Sequence, residues 1–238
     1  MEPLQPSPKR PAIIVPIVGQ TLAAIRTQAE EIATKRHIDL VEWRADWFSG
    51  ISGDPATLVS VIQEIRDVVK LPVIFTVRSI PQGGHVTLGG TKFAAAVAAV
   101  REIAAYIDIE FDPGYDVVRP AAQATPVILS YHDVNHTLDE EGIFEQLTRM
   151  AAIKPDVVKL ATVAQTDEDA RALLNATSRF TESHHIPTIA IAMGLPGQVT
   201  RVLGHLYGSC ATFASVGQGS APGQMSLDNL LAALSNRH

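Results

Sequence analysis

The sequence predicts a single-domain α/β protein of the (β/α)8 TIM barrel class, on three observations. Short runs rich in β-branched residues alternate with longer stretches of helical period, there are eight such runs, and 238 residues suit a barrel of that size. An open doubly wound sheet is the competing architecture. No GxGxxG follows the first strand, which weakens a dinucleotide-binding reading.

Taken in order, the first eleven residues, MEPLQPSPKRP, carry prolines at 3, 6, 8 and 11. Each removes a backbone donor and fixes its own dihedral, so a disordered tail is expected over 1–11 and the barrel domain over 12–238. The segment lacks an apolar core and is not read as a signal peptide. The strand candidates are AIIVPIV (12–18), LVEWRAD (40–46), VIFTVR (73–78), YIDIEF (106–111), PVILSYHD (126–133), VVKLA (157–161), TIAIAM (188–193) and ATFASV (211–216). Helices are expected over 20–36, 54–70, 90–104, 138–152, 167–183, 197–207 and 226–237. Asp54 before Pro55 reads as an N-cap with proline at the first helical position, and Thr166 to Asp169 as a capping box with Asp in place of Glu. The connection 112–125 holds Pro113, Gly114 and Pro120, so it should carry at most a short or distorted helix.

Composition narrows the function classes. With 46% hydrophobic and 18% charged residues the chain can bury a substantial core, and its single cysteine, Cys210, excludes a disulfide-stapled scaffold and reads as a buried small residue. A formal charge of -6 without a basic run argues against nucleic acid as a partner. The longest apolar run, 93–100, is far short of the ~20 residues of a membrane span, so a soluble, cytoplasmic protein without a membrane partner is expected.

Strands buried on both faces should be apolar, so ionisable residues within them call for a reason. Glu42, Arg44 and Asp46 stand at i, i+2 and i+4, one face of the second strand. The third strand ends in Thr76 and Arg78, the fourth carries Asp108 and Glu110, the fifth ends in Ser130, His132 and Asp133, and the sixth holds Lys159. These groups gather toward the C-terminal strand ends, where active sites of such barrels lie. A paired interior network is the alternative for any one of them. Together they favour an active site, because burying so many charges around one axis is destabilising unless binding or catalysis requires it.

Lys159 sits mid-strand, where desolvation and neighbouring arginines would favour the neutral, nucleophilic amine able to form a Schiff base with a ketone. A structural pairing with Glu42, Asp108 or Glu110 remains open. His132 suits proton transfer. No catalytic metal is expected: His132 and Asp133 face opposite sides, and His184 and His185 lack a spaced third ligand. There is no G-x-S-x-G elbow either. In the last two loops, Arg201 after Gly194 and Gly197, with Ser220 and Gln224 of SAPGQ, form a candidate anion site for phosphate or carboxylate; a surface arginine beside an ordinary turn is the alternative.

The motifs VEWRAD, FTVRS, IDIE, ILSYHD, VKLA, GQVTRVLG, GSCATFAS and SAPGQ, in this order from residue 41 to 224, closely resemble those of the type I 3-dehydroquinate dehydratases, relatives of the class I Schiff-base aldolases. The resemblance implies a cofactor-free dehydration of 3-dehydroquinate to 3-dehydroshikimate in the shikimate pathway. It makes Lys159 the imine-forming residue, His132 the general acid and base, and Glu42 the group orienting His132. Arg44 and Arg78 would hold substrate hydroxyls, and Arg201, Ser220 and Gln224 the substrate carboxylate. Met193 and Phe213 would pack against the ring, and a homodimer is expected. The chain departs from the family at Gln82, where a loop glutamate is usual, so acid-base work of that loop would pass to His132 or His85. It departs again at Pro16, near a position that is often serine. A class I aldolase, or a dehydroquinate-binding barrel without catalysis, are the rival readings.

Overall fold

The structure is a computed structural model that describes residues 3–112, 114–221 and 223–235. Strands and helices alternate as predicted: β1 (Ala12–Ile17), α1 (Leu22–Ala33), β2 (Leu40–Arg44), α2 (Pro55–Val69), β3 (Val73–Thr76), α3 (Gly90–Val100), β4 (Tyr106–Glu110), α4 (Tyr115–Ala122), β5 (Val127–Asp133), α5 (Glu140–Ala151), β6 (Val157–Val163), α6 (Asp167–His184), β7 (Thr188–Met193), α7 (Gln198–Leu203), β8 (Ala211–Ser215), a two-residue β9 (Met225–Ser226) and α8 (Leu227–Ser235). The chain divides into two compact units. The first is built from Val15–Ser130, the second from Tyr131 onward with the residues before Val15, so both boundaries fall inside strands, β1 and β5.

In the first unit β2, β3, β4 and β5 pair in parallel, with Arg44 opposite Thr76, Thr76 opposite Asp108 and Glu110 opposite Ser130. Each of these strands buries both faces. Trp43 is fully buried, its ring 5.5 Å from that of Phe75 and 6.2 Å from that of Phe48, while Glu42 and Arg44 of the same strand take the other face. The Asp54 cap holds: its carboxylate accepts from the Ala56 amide at 2.9 Å and Pro55 opens α2. The connection around Gly114 and Pro120 carries an eight-residue α4 with Pro120 inside it, the short helix expected; Pro113 lies outside the described residues.

At two strand ends the difference from expectation moves a charged candidate off its strand. β2 stops at Arg44 and Ala45–Trp47 form a 3₁₀ turn, so Asp46 is not on the strand face with Glu42 and Arg44. Across this turn Arg44 and Asp46 form an ion pair through two bonds of 2.8 Å. β3 stops at Thr76, leaving Arg78 in the loop that follows, where the Ser79 amide donates to the Glu110 carboxylate instead of to a strand.

In the second unit β6 and β7 pair from Val158 opposite Thr188 to Val163 opposite Met193. β8 pairs with β1 in parallel (Ala12 opposite Ala211) and meets β7 through the Thr188–Ser209 bridge, where the Cys210 amide donates to the Thr188 carbonyl at 2.7 Å. The Thr166–Asp169 capping box forms as read from the sequence. Residues 3–11 adopt neither helix nor strand, yet Leu4 among them is buried. Cys210 is fully buried, which pushes its thiol pKa up to about 12.

Candidate active site

The first unit contributes a buried ionic cluster. Arg78 donates through Nη1 to Glu110 (3.0 Å) and Ser130 Oγ (2.8 Å), and through Nη2 to Asp108 (2.9 Å). Ser130 in turn donates to Asp108 at 2.6 Å. Burial works against the charge on Arg78, yet Asp108, Glu110, then Glu42 and Asp46 outweigh it and hold its pKa above the ordinary arginine value. Glu42 accepts from Thr76 Oγ1 at 3.1 Å, and Arg44 is clamped by Asp46. Gln82 ends a short 3₁₀ turn (Ile80–Gln82) and is partly buried. The sequence offered Asp108 and Glu110 only as pairing partners of Lys159 and gave Ser130 no role. The structure makes them the acceptors of Arg78.

The second unit gathers the other candidates. Lys159, in the middle of β6, is 5% exposed, and its Nζ lies 4.6 Å from the centroid of the Phe213 ring on β8. His132 is the penultimate residue of β5 and is partly buried; Met193 is the last residue of β7. Arg201 is positioned from its own helix outward. Gly197 stands so close to the Ala192 carbonyl that a Cβ would come within 2.2 Å of it, and Thr200 Oγ1 accepts from the Ala192 amide while donating to the Gly197 carbonyl. These contacts fix the start of α7 on the end of β7.

Arg201 is only 2% exposed, with one bond, a 3.4 Å contact from Nη1 to the Phe213 carbonyl. Among the described residues its Nε and Nη2 have no partner, nor does Nε2 of Gln224. Burial lowers the Arg201 pKa to about 10. A buried donor left unmade costs about 1–3 kcal/mol, and more when charged, so a guanidinium with two such nitrogens is poised for an acceptor, best an anion. The loop beside it is pre-shaped. Gln224 Oε1 accepts from the Ser220 amide at 2.7 Å and its hydroxyl at 3.3 Å, and Gln198 Nε2 donates to the Gly223 carbonyl at 3.3 Å; Pro222 lies outside the described residues. The anchor made by Gln198 escaped sequence reasoning, since a glutamine opening a helix carries no signal of what it holds.

His184 stacks on Phe180, with centroids 4.4 Å apart, and packs rather than binds. Among the described residues no three His, Cys, Asp or Glu side chains are grouped to hold a metal ion.

A profile of the type I 3-dehydroquinase family matches residues 13–238, nearly the whole chain. The chain belongs to the type I 3-dehydroquinase family. It is 34% identical over 237 residues to a 3-dehydroquinate dehydratase of Listeria monocytogenes serotype 4b, covering 96% of this chain and 93% of that one. It is 36% identical over 227 residues to the enzyme of that name from Klebsiella pneumoniae, covering 92% and 90%. A crystal structure of the type I enzyme from Clostridium difficile, holding covalently modified comenic acid, superimposes with a TM-score of 0.87 at 31% identity, covering 95% of this chain and 92% of that one. As a type I 3-dehydroquinase the chain is a hydro-lyase with the (β/α)8 fold of its relatives.

Proposed function

We propose that this type I 3-dehydroquinase converts 3-dehydroquinate to 3-dehydroshikimate through an imine on Lys159. The Lys159 amine adds to the ring ketone and water leaves, giving a protonated imine that withdraws electrons from the adjacent carbon. His132 removes a proton from that carbon, and the resulting enamine expels the hydroxyl one carbon further on. The proton held by His132 goes to that hydroxyl, which departs as water. Hydrolysis of the imine then releases product and restores the amine, so no cofactor is consumed.

The observation that carries the reading is the buried guanidinium of Arg201, whose Nε and Nη2 have no partner among the described residues and which with Gln224 and Ser220 suits the substrate carboxylate. Lys159 over the Phe213 ring supports the covalent step, because the ring face tolerates both ammonium and iminium. The C. difficile relative, whose structure contains a covalently modified acid, supports it from outside. In the same reading Glu42 orients His132, Arg44, Arg78 and Gln82 serve the substrate hydroxyls, and Met193 packs on the ring. Arg78 does so with whatever Asp108, Glu110 and Ser130 leave it.

Borohydride reduction in the presence of 3-dehydroquinate, with intact mass and peptide mapping, tests this. A stable adduct on Lys159 is the expected result. Dehydration without any adduct would overturn the imine and leave the lysine structural. Two further expectations belong here: a homodimer, which light scattering would check, and residence in the cytoplasm, in keeping with the absence among the described residues of any helix long and apolar enough to cross a membrane.

A further inference from the structure

The loop from β3 to α3 carries Gln82 and three residues further on His85, which the reaction scheme above does not use. Its first part is a local turn: the Gln82 and Gly84 amides donate to the Ser79 carbonyl at 3.0 and 2.8 Å, and Gly83 takes φ 85°. Gly84 lies directly on the backbone of Arg78, where a Cβ would come within 1.9 Å of the carbonyl oxygen. The far part packs loosely, since Val86 and Leu88 border a crevice of about 90 Å³ with Phe93, Ile109 and Val118.

Between these parts His85 reaches out of the loop to the turn after β2. Its ring lies 3.9 Å from the Trp47 ring, centroid to centroid, and its Nδ1 is 3.6 Å from Asp46 Oδ2. The same Asp46 oxygen accepts from Arg44 Nη2 at 2.8 Å. One carboxylate thus meets both the arginine of β2 and the histidine of the loop. Among the described residues the indole Nε1 of Trp47 has no partner, and its contact with the loop is through the ring. The His85 side chain stays about half exposed in this docked position.

We propose that His85 is a positioning residue, a latch that holds the loop carrying Gln82 against Trp47 and the Arg44–Asp46 pair. Its effect on turnover rests on the reading that Gln82 and Arg44 contact the substrate; the latch itself does not. Loss of the latch leaves the chemical groups in place and lets the loop sample open positions, so the cost falls on substrate binding rather than on the bond-making steps.

The test compares His85→Ala, His85→Phe and His85→Asn in the intact protein by steady-state kinetics with 3-dehydroquinate and by hydrogen exchange of the peptide spanning 79–89. His85→Ala is expected to raise KM about tenfold with kcat within about twofold, and to speed exchange of that peptide alone. His85→Phe, which keeps a ring on Trp47, and His85→Asn, which keeps a polar atom toward Asp46, should each recover part of the protection. Unchanged KM and exchange in His85→Ala would overturn the latch, and so would a fall in kcat at constant KM, which would make His85 an acid-base group. Faster exchange spreading through β2 and β3 would also overturn it, as a structural role. If the wild-type protein proved not to turn over dehydroquinate, the function proposed above would fall, while exchange confined to 79–89 would still decide the latch.

Discussion

Arg78 and Arg201 are equally buried, each 2% exposed, and their surroundings are opposite. Arg78 has two carboxylates and a hydroxyl on its terminal nitrogens, and its pKa is held above the ordinary value. Among the described residues Arg201 has one backbone carbonyl at 3.4 Å and nothing on its other two nitrogens, and burial pulls its pKa down to about 10. The contrast separates a charge the fold uses from a charge the fold keeps for something else. Removing the first should damage folding. Removing the second should damage only binding.

The largest effect expected is on stability. Arg78→Met would leave Asp108 and Glu110 buried without their cation and should lower unfolding free energy by about 3–5 kcal/mol, read by urea denaturation with an unchanged m-value. A stable Arg78→Met protein would erase the distinction drawn here. Next comes Arg201→Met, expected to leave the melting temperature the same or slightly higher while raising the KM for 3-dehydroquinate about 100-fold, the worth of a lost charge-assisted pair of bonds. A collapse in stability with little change in KM would reverse the assignment.

The third effect is a pH dependence. Arg201 deprotonates at about 10 in the folded protein, below the ordinary arginine value, so its positive charge is present below that pH and lost above it. Affinity for a hydroxylated cyclohexane carboxylate such as quinate should therefore hold through neutrality and fall by up to about tenfold per unit as pH rises beyond 10, and Arg201→Met should lack that fall. Fluorescence titration of both proteins would check it. The smallest effect concerns the loop beside Arg201: Gln198→Ala removes the bond to the Gly223 carbonyl and should raise KM by about two- to threefold with kcat unchanged, since a bond that only shapes the loop passes on the lower end of the about 0.5–1.5 kcal/mol a neutral hydrogen bond is worth. Equal kinetics for Gln198→Ala and wild type would show that the Ser220–Gln224 contacts suffice to shape the loop.

How far such contrasts could be read in advance depended on range. The β-branched runs marked all eight barrel strands, because a buried strand has a local composition that a helix lacks. Caps marked helix starts for the same reason, as at Asp54 and Thr166. Alternation alone misled at Asp46, where i, i+2 and i+4 spacing reads as strand but the chain leaves the strand after Arg44 in a 3₁₀ turn. β9, two residues long, has no compositional mark at all.

For the site, residue types in apolar strands were enough to single out Lys159, Glu42 and Arg78, since a charge among valines and isoleucines is costly wherever the strand is placed. Arg201 followed by VLG looks the same in the sequence whether it faces solvent or an interior. Its burial comes from the close approach of Gly197 to β7, a contact between residues that only the folded chain brings together. By itself, then, the sequence determined the order of strands and helices, their caps and the charged residues that strands must bury, because each is written in a few neighbouring residues. The tertiary structure decided which buried arginine is satisfied and which is left waiting, because hydrogen-bond partners such as Asp108 and Ser130 arrive from strands dozens of residues away.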